Sequence, residues 1–280
     1  MDKVATSFKK KTKNTHTTSS IRIVVAGPRG KMGSEAIHMI NHEHNFILVG
    51  CVDHKEVEQT NESVPTYTDV NTCLEETKPD VFIDLTKPEV GYTHTKAALK
   101  LGVRPVVGTT GFTSEQLKEI TQLAEDKKIG CIIAPNFALG AVLMMKFSQM
   151  AAKFYENVEI IEKHHNQKID APSGTALKTS ELIREARKTS GQKSGVEESE
   201  SIPGVRGGYH DGIHIHSMRL PGLVAHQEVV FGGQGETLTI KHDSIDRASF
   251  MEGIKLCVDQ VMNLETCIYG MENIIDFKEY

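Results

Sequence analysis

The chain contains no tryptophan and only 6% aromatic residues. It has no apolar run near the roughly 18 residues that a membrane-crossing helix requires, so neither a span nor a membrane partner is expected. Cysteine is scarce: Cys51, Cys73, Cys131, Cys257 and Cys267 form no Cys-x-x-Cys pair, and their odd number excludes a full set of disulfides. Most lie in apolar segments and read as buried thiols of a reducing compartment, the cytoplasm. Nor is there an excess of positive charge. The net charge is −5, but the first twenty residues hold Lys3, Lys9, Lys10, Lys11 and Lys13 against Asp2, which leaves the body at −9. Phosphate backbones repel such a body, and no nucleic-acid partner is expected. The same twenty residues lack the apolar stretch of a secretory signal. With little to bury, residues 1–20 read as a disordered leader; a targeting segment or an expression remnant is the alternative.

What is present is an ordinary globular composition, 39% hydrophobic and 25% charged over 280 residues, enough for one large or two modest domains. Ile21 to Ala26, Phe46 to Val52, Val81 to Leu85, Pro105 to Thr109 and Cys131 to Ala134 read as buried strands. Between them, Lys31 to Glu43, Asp69 to Thr77, Glu89 to Leu101 and Thr113 to Lys127 carry helical periodicity, the last opening on Thr113 or Ser114 as its cap. This alternation predicts an α/β fold with a Rossmann-type, doubly wound parallel sheet. After Asn136 the pattern changes. Helices are predicted over Leu139 to Phe154, Thr175 to Lys188 and Ser244 to Asn263. Val158 to Glu162 is a further strand, and Ile213 to Arg219, Gln227 to Phe231 and Thr237 to Lys241 alternate like half-exposed antiparallel strands. The expected division is a dinucleotide-binding domain over 21–135, completed by 244–280, and an α+β domain with an open mixed or antiparallel sheet over 136–243.

Two segments carry chemistry. In the first, Gly27-Pro28-Arg29-Gly30-Lys31-Met32-Gly33 follows a strand and opens a helix. Gly27 permits a tight turn, Gly30 allows backbone amides to approach a pyrophosphate, and Gly33 packs helix on sheet. Arg29 stands where the usual fingerprint has its second glycine. Asp53, twenty residues after Gly33, ends the second strand and suits a ribose hydroxyl; His54, Lys55 and Arg29 offer a 2′-phosphate an alternative partner. NADH and NADPH both remain open. Gly108-Thr109-Thr110-Gly111 and Ala134-Pro135-Asn136-Phe137 end later strands at the sheet's carboxyl edge, where ligands of such folds bind; ordinary turns are the other reading.

The second segment runs from Glu159 to Thr175. His164 followed by Lys168 sets an imidazole near an ammonium, suited to proton transfer and to an anionic substrate. Pro172-Ser173-Gly174-Thr175 opens a helix whose free amides suit a carboxylate; a plain capped helix with surface histidines is the alternative. A zinc site needs three or four ligands in a closed shell, and no familiar spacing joins His164 and His165 to His210, His214, His216 or His226. No metal is expected.

The run E-x-x-E-x-H-H-x-x-K-x-D-x-P-S-G-T-A, from Glu159 to Ala176, resembles the signature of the 4-hydroxy-tetrahydrodipicolinate (dihydrodipicolinate) reductase family of lysine biosynthesis. The resemblance extends from Ile21 through Gly27 to Gly33, Asp84-Leu85-Thr86-Lys87-Pro88-Glu89, Gly108 to Phe112, Ala134 to Phe137 and Arg219 to Glu228. It implies reduction of a small dicarboxylate by NADPH or NADH, a homotetramer, and a cytoplasmic location. It also implies His164 as proton donor or acceptor and Lys168 as proton donor. The substrate's carboxylates would fall to His165, Lys168, Ser173, Gly174 and Thr175, with Arg247 as a further cation. The cofactor would fall to Gly27 through Met32, Asp53, His54, Thr86, Gly108, Thr109, Thr110 and Ala134 through Phe137. Two features depart from the family: His54 follows Asp53 where members often carry Arg or Lys, and the leader has no counterpart. Another two-domain dehydrogenase of a small dicarboxylate or semialdehyde would share the glycine turn but gives no reason for His164-His165-x-x-Lys168 beside Pro172 to Thr175; a dinucleotide-sensing protein that has lost activity is the other alternative, and intact His164 and Lys168 weigh against it.

Overall fold

The computed structural model describes residues 20–55, 64–109, 111–187 and 198–275. The leader therefore lies, except for Ser20, outside the described residues, as do Thr110 and much of the polar connection before Gly204.

Strand and helix alternate through the first half: β1 (Ile21–Ala26), α1 (Lys31–His42), β2 (Phe46–Val52), β3 (Thr66–Tyr67), α2 (Val70–Thr77), β4 (Val81–Asp84), α3 (Pro88–Lys100), β5 (Arg104–Val107), α4 (Ser114–Lys127) and β6 (Cys131–Ile133). Local chemistry sets the helix starts. Asp69 accepts from Thr72 N to cap α2, and Pro88 occupies the first turn of α3, where its missing N–H costs nothing. At α4 the cap is Thr113, which accepts from Gln116 N at 3.2 Å while its own N–H donates to Gln116 Oε1 at 2.9 Å.

The second half holds α5 (Leu139–Ala151), β7 (Asn157–His164), α6 (Gly174–Ala186), β8 (Gly208–His210), β9 (Ile213–Arg219), β10 (Ala225–Gly233), β11 (Glu236–Ser244), α7 (Met251–Val261) and β12 (Cys267–Tyr269). One sheet of seven strands runs β12-β6-β5-β4-β1-β2-β3, all parallel; the other, of five, runs β11-β10-β7-β9-β8. The strand order reverses between β1 and β4, which opens a crevice at the carboxyl ends of these strands, beyond Ala26 and Asp84. β12 lies beside β6, so the chain's last described strand extends the first sheet.

Two expectations need correction. β9 pairs with β7 in parallel, not antiparallel, because the chain crosses from one to the other through α6 and β8; the remaining pairs of this sheet are antiparallel. The last helix begins at Met251 rather than Ser244, since β11 continues to Ser244 and a 3₁₀ turn over Arg247–Phe250 intervenes.

One core cluster joins the two sheets: Ile23, Val25 and Ile132 pack in the same cluster as Phe137, Val142 and Met144, and these in turn as Val158, Ile160 and Phe231. Fully buried Phe82, Phe231 and Ile83 each contribute roughly 1.5–3 kcal/mol by leaving water. The cysteines are free thiols, four of them buried. Burial pushes Cys51 up to about 11 and Cys73 and Cys257 up to about 12, so these stay protonated and inert.

Candidate active site

The glycine turn joins β1 to α1. Gly27 takes φ +82°, a left-handed conformation that favours glycine. A Cβ on Gly33 would stand 2.0 Å from the Gly27 carbonyl oxygen, so only glycine lets α1 approach this closely. Gly30 forms the helix start and no side chain caps it, which leaves amide donors and the positive end of the helix dipole facing the crevice. Asp53 closes β2 and is 7% exposed. Its carboxylate accepts from Arg29 Nε at 2.8 Å and Nη2 at 2.5 Å, from the Lys55 amide at 3.2 Å, and stands 3.0 Å from His54 Nδ1. The Arg29 hydrogen bonds hold it below the usual carboxylate range despite its burial. These residues and Thr86 line a cavity of about 700 Å³.

Asp84 organises the next strand ends and was not singled out from sequence. Fully buried, it accepts from Thr86 N and Oγ1 at 3.0 and 2.6 Å and from Thr109 Oγ1 at 3.1 Å. His94 Nδ1 lies 2.8 Å from its other oxygen. A carboxylate ending the apolar run Val81-Phe82-Ile83 was the available signal, since a charge at such a place needs partners. Ala134 and Phe137 are buried, and Asn136 bridges the two halves, donating from Nδ2 to Thr175 Oγ1 at 3.2 Å.

A cavity of about 490 Å³ lies between the two sheets. Met32, Thr86, Gly108, Pro135 through Phe137 and Arg247 line it from the nucleotide side; His164, Lys168 and Thr175 line it from the other. A neighbouring cavity of about 750 Å³ shares Pro135, Asn136, His164, Lys168 and Thr175 and adds Ser173 and Gly174. Met32, Thr86, Gly108 and Pro135 through Phe137 thus converge with His164, Lys168, Ser173, Gly174, Thr175 and Arg247. Gly27, Arg29, Gly30, Asp53 and His54 line the separate cavity of about 700 Å³, and Pro28, Lys31, Thr109, Ala134 and His165 line none of the three. Of the two residues that could cap the helix opened by Pro172-Ser173-Gly174-Thr175, Ser173 does so. It caps α6, its hydroxyl accepting from Ala176 N at 3.2 Å, and only 3% of it is exposed.

Lys168 Nζ donates to both Asp170 oxygens at 2.7 and 2.9 Å, and this pair lowers the Asp170 carboxyl. His226 and His242, from β10 and β11, complete the cavity wall; the sequence gives neither a site role, and both fall just outside the strands it predicts. The Val224 amide donates to His226 Nε2 at 3.2 Å, so Nδ1 carries the proton that it donates to Asp243 Oδ1 at 2.7 Å. Burial lowers the His242 imidazole. Among the described residues, no three His, Cys, Asp or Glu side chains converge on a metal position. No helix among them is long and apolar enough to cross a membrane.

An uncapped helix start under a glycine turn fits a dinucleotide pyrophosphate, and a parallel sheet presenting it beside a cationic cavity belongs to the NAD(P)H-dependent oxidoreductases. Comparison with known proteins narrows this class. Residues 21–137 match the family model described as dihydrodipicolinate reductase, N-terminus, and residues 140–275 the one described as its C-terminus. The 4-hydroxy-tetrahydrodipicolinate reductase of Oceanobacillus iheyensis is 62% identical over 266 residues, covering 91% of this chain and 100% of that protein. The Bacillus subtilis enzyme of the same name is 58% identical over 264 residues, covering 92% and 98%. The solved structure of dipicolinate-bound dihydrodipicolinate reductase from Paenisporosarcina sp. TG-14 superposes with a TM-score of 0.86 at 49% identity, covering 91% of this chain and 100% of that one. The chain belongs to the dihydrodipicolinate reductase family.

Proposed function

We propose that this protein reduces 4-hydroxy-tetrahydrodipicolinate to tetrahydrodipicolinate in lysine biosynthesis, using the cavity between the two sheets. The observation that carries the reading is that His164 and Lys168 line the same cavity as Met32, Thr86, Gly108 and Asn136 of the nucleotide edge. NADH or NADPH, held by Gly27 to Met32, Asp53, His54, Thr86, Gly108, Thr109 and Ala134 to Phe137, supplies the hydride when bound. The remaining chemistry belongs to the chain's own side chains. Loss of the 4-hydroxyl as water leaves a conjugated, imine-like ring; hydride addition to that ring leaves a carbon or nitrogen to be protonated, and His164 and Lys168 move that proton, a contribution of roughly 10²–10⁴-fold. Lys168, Thr175 and the Gly174 amide hold the substrate carboxylates, with Arg247 as a further cation. A dianion entering a body of net charge −9 needs such a local cationic pocket to be steered and oriented. The dipicolinate bound by the Paenisporosarcina relative, itself a dicarboxylate, supports this class of ligand.

The functional division follows the two sheets: residues 21–135 with 244–280 carry the dinucleotide, and 136–243 carry the substrate and the subunit contacts of a cytoplasmic homotetramer. The outer face of β11, which exposes Leu238, supports the last assignment. The test is oxidation of NADPH and of NADH by the purified protein in the presence of freshly generated substrate. Turnover that depends on substrate is the expected result. Cofactor binding without turnover would mark a dinucleotide sensor instead.

A further inference from the structure

Strand alternation places Val158, Ile160, Glu162 and His164 on one face of β7. Val158 and Ile160 are core residues, and Glu162 continues their row as a carboxylate that is 0% exposed. A charge in that row requires partners, and it has several. Arg219, at the end of β9 opposite His164, donates from Nη1 to Glu162 Oε2 at 2.8 Å and from Nη2 to Oε1 at 2.7 Å. The Ser173 amide donates to Oε1 at 3.2 Å. His164 Nδ1 donates to Oε2 at 2.6 Å. Arg219 Nη2 also donates to the Asp170 carbonyl at 2.7 Å.

We propose that Glu162, clamped by Arg219, is the positioning residue of the reaction: it holds the Nδ1 proton of His164 and thereby turns Nε2 toward the cavity. The proposal rests on the reading of His164 as a proton-transfer group. Its argument is one of donors and acceptors. An ionised carboxylate accepts only, so Nδ1 carries hydrogen in either protonation state and Nε2 is the nitrogen free to exchange a proton. Burial works against the charge on Glu162, yet hydrogen bonds from His164, Arg219 and Ser217 outweigh it and keep the carboxyl at about 2, so it stays an acceptor. The guanidinium cancels much of the carboxylate's field at His164, so what Glu162 imposes is chiefly direction. The same pair reaches two further parts of the site: the loop bearing Lys168, through the Asp170 carbonyl, and the start of α6, through the Ser173 amide.

The experiment compares Glu162→Gln, His164→Ala and the two combined, with NADPH as cofactor. The amide can donate to Nδ1 and invert the tautomer. The kcat of Glu162→Gln is expected to fall at least about ten-fold, with KM for NADPH within about two-fold of wild type. Added to His164→Ala, Glu162→Gln is expected to cost nothing more, because the group it positions is gone. An equal loss with and without His164 marks a merely structural carboxylate and overturns the proposal. Since Glu162→Gln leaves the charge of Arg219 uncompensated, a Glu162→Gln/Arg219→Met protein removes both charges; it should melt near wild type yet keep the kcat defect, and recovery of kcat overturns the proposal. Wild-type kcat in Glu162→Gln beside an inactive His164→Ala overturns the positioning role alone. Wild-type kcat in His164→Ala overturns the reading of His164, and this proposal with it.

Discussion

Arg29 and Asp53 form a two-point ion pair, Nε to Oδ2 at 2.8 Å and Nη2 to Oδ1 at 2.5 Å, and both are residues that the proposed function sets against the adenosine ribose. Each is therefore occupied by the other until a nucleotide separates them. A 2′-hydroxyl competes for Asp53, and a 2′-phosphate competes for Arg29. Asp53→Ala is expected to raise KM for NADH about ten-fold or more and to affect NADPH less. Arg29→Met should show the opposite preference. Both follow from losing one charge-assisted hydrogen bond of about 1.5–3 kcal/mol. Steady-state kinetics with each cofactor checks the pair; equal effects on both cofactors would refute the competition.

His164→Ala and Lys168→Ala are each expected to lower kcat by roughly 10²–10⁴-fold, the range of a lost general acid. Dinucleotide affinity, measured by fluorescence of the bound nicotinamide, should remain within a few-fold, because neither residue belongs to the glycine turn. Unchanged turnover in either protein contradicts the assignment.

Glu162 links the site to acid stability. Its carboxyl sits near 2 in the folded chain against an ordinary 4.5, so the unfolded chain binds the proton more readily. The stabilisation is complete above about pH 4.5 and is lost as pH falls toward 2, an effect on the order of 3 kcal/mol. Urea unfolding over that window should show a steeper pH dependence for the wild type than for Glu162→Gln. Parallel curves would show that Glu162 titrates normally.

Gly33→Ala places a Cβ 2.0 Å from the Gly27 carbonyl oxygen, and backbone must move to admit it. The expected cost is about 1–3 kcal/mol of stability together with a large loss of affinity for both cofactors. Calorimetry with and without NADPH measures both effects. A wild-type melting temperature would mean that α1 can withdraw freely from the turn.

Much of the fold was legible because it repeats. β1 and β2 begin and end where the apolar runs do, β9 where the alternation does, and the α4 cap falls on Thr113, one of the two residues offered for it. The short strands were not legible: Thr66–Tyr67, Gly208–His210 and Cys267–Tyr269 are too brief to show any period. The direction of β9 escaped as well, since alternation marks a face and says nothing of the neighbour. At the site, the glycine turn and the run from Glu159 to Thr175 stand out as dense local patterns. The Glu162–Arg219 clamp and the contacts of Asp84 with Thr109 and of His226 with Asp243 do not, because their partners lie 57, 25 and 17 residues apart.

Periodicity and local motifs, read from the sequence alone, determined the alternating α/β half and the dinucleotide turn, since each depends on residues within a few positions of one another; the reductase family came from the resemblance of its ordered motifs. The tertiary structure decided which charges meet. Arg29 on Asp53, Arg219 on Glu162 and Asn136 on Thr175 are separated by 24, 57 and 39 residues. Such pairs form only when sheet order and a parallel crossover bring their strands together, and no local pattern encodes that meeting.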